Sequence, residues 1–406
     1  MSAEPVSSAQ DLAGSDVLSA IEAPLARMRE WAGAACRAVL LSGSHASGEA
    51  VWAECEGRRL CLSDLDVYVV IATRRERDAA EARARAARPE LPAWLLARGF
   101  AAPLEVAFHT PSEIERLPPR PGTIELRRHG RVIAGDPAWR ERVPAWRPAD
   151  VPAEEVDLLL ENRGPELLLA HPGAGGGVLD RLRSRHAVLK VALDLAGIAA
   201  LGAGEYPDGA AARVAWARAA GADALPGWLA RAAPRAALER LWDDALAWRS
   251  AANVRASEPE RARADWHAAA AAWCATWWAR SARGAAGTIE DPIERAVRFA
   301  ARARLRRRAR EAVWFRSRTG LAPALGSRLR YALRGTPRHR VNASAALLLL
   351  AASRHGTDAL PARETAALAR LGVAGPDARE WSVARDRVTR AWDQWMLEGM
   401  RTGGPR

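Results

Sequence analysis

Ser63-Asp64-Leu65-Asp66-Val67-Tyr68-Val69-Val70-Ile71, preceded upstream by Leu40-Leu41-Ser42-Gly43-Ser44, is the stretch on which the fold turns. Val67 to Ile71 is an unbroken run of β-branched and aromatic side chains, the pattern of a strand buried on both faces. Asp64 and Asp66 stand at its entrance, two residues apart. Strand geometry sends both carboxylates to one side, roughly 6.6 Å apart at Cα, and Leu65 to the other.

Two carboxylates on one face of a buried strand repel each other unless something neutralises them. Mg²⁺ suits the task, because it takes oxygen ligands from one or two carboxylates together with substrate phosphates. Upstream, Arg37 to Leu41 reads as a second short strand. Ser42-Gly43-Ser44 ends it in a turn whose N–H groups and hydroxyl can approach phosphate oxygens. Downstream, Leu104-Glu105-Val106-Ala107-Phe108 alternates, with Leu104, Val106 and Phe108 on one face and Glu105 on the other. An Asp-x-Asp alone is often an accident of a strand edge, and a Gly-Ser pair alone is noise. Here the parts follow one another in order on the expected elements.

These residues resemble the nucleotidyltransferase superfamily of DNA polymerase beta, whose pattern is an apolar strand, Gly-Ser, a spacer, Asp-x-Asp on the next strand and a later acidic strand residue. In that family the paired aspartates bind two Mg²⁺ ions. The resemblance implies that Gly43 and Ser44 hold the triphosphate and that Asp64 and Asp66 ligate metal. It gives Glu105 one of two roles, metal ligand or base for the acceptor hydroxyl. The pattern is closest to the small-molecule adenylyltransferases, aminoglycoside-modifying enzymes among them, and to minimal nucleotidyltransferases. It covers about residues 36 to 135, with a weaker echo to about residue 206. The spacer from His45 to Ser63 is longer than is usual in the family. Ala50 to Cys55 and Arg58 to Leu62 flank Glu56-Gly57, which reads as an inserted β-hairpin, either a substrate-facing element or a surface loop.

Lys190 is the only lysine in a chain whose Lys+Arg total is 60. Where arginine has replaced lysine everywhere else, a retained lysine suggests a need for a compact point charge, as at a phosphate oxygen. The resembling adenylyltransferases place such a lysine on a helix after the catalytic domain. Arg183 to Leu195 reads as that helix, with His186, Lys190 and Asp194 stacked at i, i+4 spacing. Arg163, on the preceding helix, is a second candidate for the phosphates, and Tyr206 a weaker one for a base or acceptor.

Hydrophobic content of 49% and charged content of 27% are those of a globular protein long enough for two or three cores. Abundant alanine and arginine after residue 150 predict helices. The formal net charge of +12 points to polyanion partners: the nucleotide itself and weak, non-specific nucleic acid. The arginines of the densest run, Arg302 to Arg310, spread round a helix at about 100° per residue, which reads as a solvated helix, with RNA or DNA contact as the sharper alternative. Trp266, Trp273 and Trp277 fall on one helical face, as core residues do. Cys36, Cys55, Cys61 and Cys274 lack metal-ligand spacing, although Cys55 and Cys61 could face each other across the hairpin. No signal peptide is read at the start, and the longest apolar stretch, Ala343 to Ala352, is too short to span a bilayer. The expectation is a cytoplasmic protein with reduced thiols and no membrane partner.

The expected fold class is α+β: a small mixed-sheet nucleotidyltransferase domain over residues 1–148, then a largely α-helical region. That region divides into a helical nucleotide and substrate domain, 149–285, and a helical C-terminal domain of unassigned role, 286–406. A disordered start to about residue 15 and a helix from Val17 to Ala35 precede the first strand. The expected function is Mg²⁺-dependent transfer of a nucleoside monophosphate, AMP from ATP, to an acceptor hydroxyl, with a small molecule preferred over protein or RNA. The alternative, from another class, is a catalytically inactive module of the same shape that binds nucleic acid or a protein.

Overall fold

The computed structural model describes residues 9–173, 176–220, 235–251, 254–255, 258–281, 291–301, 337–375 and 377–393. The arginine run at 302–310 and the first residues of the expected disordered start lie outside them. The chain is α+β, with a small mixed sheet near the N-terminus followed by helices. It divides into two compact units. One comprises Met1–Pro152 and Ala247–Ala256, the other Ala153–Leu246 and Ser257–Arg406.

In the first unit, helix α1 (Ala9–Ala32) starts earlier than its sequence suggests and leads through a 3₁₀ turn into β1 (Cys36–Ser42). The short helix α2 (Gly43–Ser47) follows, then the hairpin β2 (Trp52–Cys55) and β3 (Arg58–Cys61). Next come β4 (Leu65–Ile71), α3 (Arg74–Ala87), α4 (Leu91–Ala97) and β5 (Leu104–His109). The unit continues with α5 (Pro111–Ile114), α6 (Pro121–His129) and β6 (Arg131–Gly135).

The four-stranded sheet has the order β5-β4-β1-β6. β4 and β5 are parallel, and β1 is antiparallel to both β4 and β6. Period-2 alternation divides the side chains between two faces. Val39, Leu41, Leu65, Val67, Val69, Ile71, Leu104 and Phe108 share one core with Ile21, Leu25, Met28 and Trp31 of α1 and Ala80 of α3. Ala38, Leu40 and Val70 share the other with Ile114, Leu117, Leu126, Trp139 and Val143. Each fully buried aliphatic side chain contributes roughly 1.5–3 kcal/mol to these cores.

The inserted hairpin forms as its sequence predicts. Glu56 at φ +52° and Gly57 at φ +72° make its two-residue turn, in the left-handed region that such turns require. Its register pairs Cys55 with Arg58 and Trp52 with Cys61, so the two cysteines do not face each other, and both are free thiols.

The second unit is helical: α7 (Ala153–Leu169), α8 (Val178–Gly202), α9 (Gly209–Ala219), α10 (Arg235–Ser250, whose last turn groups with the first unit) and α11 (Pro259–Ser281). It continues with α12 (Pro292–Ala301), α13 (Pro337–His355), α14 (Ala362–Leu371) and α15 (Trp381–Trp392). The expected boundary near residue 285 does not separate units, because α13 packs on α7 and α11 as well as on α12. Tryptophans build this core as their spacing predicts. Trp266, Trp273 and Trp277 are fully buried. The indole N–H of Trp266 donates to the Leu167 carbonyl at 2.7 Å and that of Trp273 to the Leu160 carbonyl at 2.8 Å, so these two rings bury without an unpaired donor, whereas the buried Trp277 N–H has no partner among the described residues. Among the described residues no helix is long and apolar enough to cross a membrane.

A Cβ added at Gly164 would lie 2.7 Å from the Trp273 ring, which its hydrogen bond and burial hold in place. Alanine exceeds glycine in helix propensity by about 1 kcal/mol. Gly164→Ala should nonetheless destabilise the protein by roughly 1–3 kcal/mol through overpacking, read as a lower urea midpoint. His171 packs edge-on to Trp266 at 4.7 Å and near Trp381 at 4.8 Å. Burial, and then the positive charge of Arg385, lower its pKa from 6.5 to about 4. Below pH 6.5 the unfolded chain takes up a proton that the folded one refuses. Stability should therefore fall from pH 6.5 to about 4 and gain no further slope from this group below that. Urea midpoints of wild type and His171→Phe should converge in slope above pH 6.5 and diverge within the window.

Candidate active site

The expected site residues of the first unit meet at one edge of the sheet. In the register, Ser42 of β1 stands opposite Asp66 of β4, and Asp66 stands beside Glu105 of β5. Paired residues on adjacent strands project to the same face, so Ser42, Asp66 and Glu105 form one row across three strands. Asp64 lies two residues before Asp66, just outside β4. The row occupies the acidic end of the face whose other end is the apolar patch around Leu40 and Val70. Asp64, Asp66 and Glu105 are each half-buried and each engaged in interactions.

Gly43 closes against this row. Its φ is +64°, and a Cβ built there would overlap Oδ2 of Asp66 and sit 3.3 Å from its Cγ. Only glycine brings the backbone this close to the carboxylate. Ser44 follows on α2, which ends at Gly48 in the left-handed conformation, its N–H bonded to the Ser44 carbonyl.

Beneath the turn lies a buried polar group that no sequence pattern announces. His45 is 1% exposed. Its Nε2 lies 3.4 Å from the carbonyl of Ser63, the residue before Asp64, and 3.5 Å from Sγ of Cys61. A carbonyl can only accept, so this contact is a hydrogen bond in the tautomer that carries the proton on Nε2. Burial lowers the His45 pKa, against the raising effects of the Ser63 carbonyl and Asp64, and favours the neutral ring. The Cys61 thiol, pushed up to about 12 by burial, is inert as a nucleophile. The Ser63 hydroxyl accepts from the backbone N–H of Val51 at 2.9 Å.

A second unforeseen element is the segment Ala247–Ala256. Val254 forms a parallel bridge with Ala53, and its N–H donates to the Trp52 carbonyl at 3.2 Å. Arg249 pairs with Glu49 at 3.0 Å. No local sequence pattern marks a pairing between residues so far apart in the chain.

The other two candidates lie in the second unit. Lys190 is half-buried on α8, the helix expected to carry it, and is engaged in interactions. Arg163 of α7 pairs with Asp194 of α8 and with Glu166, tying the two helices together. A phosphate at Arg163 would compete with both carboxylates. Tyr206 is buried under the Arg213 guanidinium, 4.9 Å from its ring centroid.

The donor set of the first unit is all oxygen, as Mg²⁺ prefers. Among the described residues no three His, Cys, Asp or Glu side chains converge to form a metal cage. Mg²⁺ often uses only one or two carboxylates, with substrate phosphates and waters completing its shell, and Asp64 with Asp66 suit that mode. No protein-family model and no curated protein matches the chain.

Gly43 and Gly48 provide a matched test, since both have positive φ but a Cβ at Gly48 meets nothing within 4 Å. Gly48→Ala should cost roughly 1–2 kcal/mol from backbone strain alone. Gly43→Ala should cost more, because it also displaces the Asp66 carboxylate. Equal urea midpoints for the two variants would contradict the close packing of Gly43 on Asp66.

Proposed function

We propose that this protein is a Mg²⁺-dependent nucleotidyltransferase that transfers a nucleoside monophosphate, AMP from ATP, to the hydroxyl of a small-molecule acceptor. The observation that supports this reading is the row of Ser42, Asp66 and Glu105 with Gly43 packed on Asp66. It joins a close backbone approach to two aligned carboxylates, with Asp64 two residues before Asp66 in the chain.

Asp64 and Asp66 hold the metal, and Gly43 and Ser44 orient the phosphates by backbone N–H and hydroxyl. Bound Mg²⁺ supplies charge neutralisation for the triphosphate and acidifies the attacking hydroxyl. Glu105 either completes the metal shell or takes the acceptor proton. The acceptor oxygen bonds to the α-phosphorus as the bond to the β-phosphate bridging oxygen breaks, and pyrophosphate leaves. Lys190 is assigned to the triphosphate because it is the single lysine among so many arginines.

Incubation with labelled ATP and Mg²⁺ against pools of small hydroxylated molecules, RNA and proteins should label the first pool. Asp64→Asn and Asp66→Asn should each abolish labelling with little change in urea midpoint. Lys190→Ala should weaken nucleotide binding by calorimetry, and Lys190→Arg should restore it only in part. Near-normal transfer in both aspartate variants would overturn the assignment. Tight nucleic-acid binding without transfer to any pool would favour a binding module instead.

A further inference from the structure

Ser63 and Asp64 are pinned on either side by backbone bonds. Cys61 N–H donates to Gly99 O at 2.7 Å, Ala101 N–H to Cys61 O at 2.8 Å and Leu65 N–H to Pro103 O at 3.0 Å. These bonds fasten the segment to the β5 side of the sheet. The Ser63 carbonyl points the other way, to His45 on the helix of the phosphate turn.

Packing alone does not account for a histidine at this position. His45 Nδ1 is buried and has no hydrogen-bond partner among the described residues. Leaving a buried polar atom unsatisfied costs roughly 1–3 kcal/mol, which a phenyl ring of similar shape would avoid. The ring already lies among apolar neighbours, with its centroid 6.2 Å from that of Phe100. What phenylalanine could not supply is the Nε2–H donated to Ser63.

We propose that His45 is a positioning residue: its Nε2–H, held by the Ser63 carbonyl, ties the Gly43–Ser44 turn to the peptide that carries Asp64. The tie sets the first metal-ligating carboxylate relative to the backbone that receives the phosphates. Its catalytic consequence rests on the nucleotidyltransferase reading, whereas the tie itself is a property of the folded first unit. Support from beyond the ligands is worth a factor of roughly 10–100 in metal affinity or activity in metal sites generally.

Three substitutions in the full chain separate this role from simple packing. His45→Phe keeps the ring and drops the donor. His45→Gln places an amide N–H at about the reach of Nε2, and His45→Asn places one too short to meet Ser63. Amide hydrogen exchange across 62–66, the Mg²⁺ concentration for half-maximal transfer, and kcat and KM for ATP are measured for each. In Phe and Asn variants, exchange across 62–66 should be roughly tenfold faster, the Mg²⁺ requirement higher and kcat lower by roughly 10–100-fold, with KM for ATP changed much less. His45→Gln should restore most of each. The Phe variant should be at least as stable as wild type; if it does not fold, the Gln and Asn pair decides. Equal exchange and turnover in the Gln and Asn variants would overturn the proposal. Absence of transfer by the wild type would overturn the functional reading instead, and the exchange comparison would still decide the tie.

Discussion

The contact between the Gly43 backbone and the Asp66 carboxylate is the constraint around which the first unit is arranged. It requires a residue without a Cβ, a positive φ and an abrupt end to β1 at Ser42, and it leaves a carboxylate facing the backbone of a turn. Nothing in hydrophobic packing calls for such an approach. The apolar halves of the sheet are built from other residues, so the need for glycine here comes from the approach to Asp66 and not from the cores.

Strand directions explain why the acidic residues gather there. β4 and β5 run parallel, so the early residues of both strands lie at one edge, and Glu105 arrives beside Asp66. β1 runs antiparallel to β4, so its end and the glycine turn arrive at that edge as well. An antiparallel β5 would have sent Glu105 to the opposite edge. Helices α3 and α4 provide the long crossover that a parallel pair needs. The remainder of each strand is free to be apolar, and both faces of the sheet are covered away from the edge.

Features set by local chemistry were legible in the sequence. The apolar run at Val67–Ile71, the turn residues Glu56-Gly57 and the alternation around Glu105 each announce their structure within a few residues. The tryptophan spacing on α11 announces a buried face in the same way. What escaped the sequence depends on distance. The strand bridge at Val254 and the ion pair of Arg249 with Glu49 join segments whose sequences do not signal one another. The hairpin register, which parts Cys55 from Cys61, depends on the turn consuming only two residues. His45 is a polar residue at a position with no apolar periodicity, and only the folded chain shows that its ring is covered. The division at residue 285 rested on a glycine-rich break, but helices from both sides of that break share one core. A break in sequence is not a break in packing.

The segment between Gly43 and Asp64 shows how two parts of the chain stay together across a long interval of sequence. Leu62 N–H donates to the Val51 carbonyl at 2.9 Å, and Val51 N–H donates to the Ser63 hydroxyl at the same distance. The hairpin is therefore closed at its base, where it leaves and rejoins the sheet. What the proposed site requires is the separation in space between Gly43 and Asp64, and two bonds at the base help hold this separation whatever the hairpin's length. Lengthening a closed loop adds only a logarithmic entropic cost, about 0.6 kcal/mol per doubling, so an insertion of this kind is thermodynamically mild. Counting residues between motif elements consequently misjudges such a chain, whereas asking which groups close the insertion identifies the residues, Val51 and Ser63 among them, that keep the site intact.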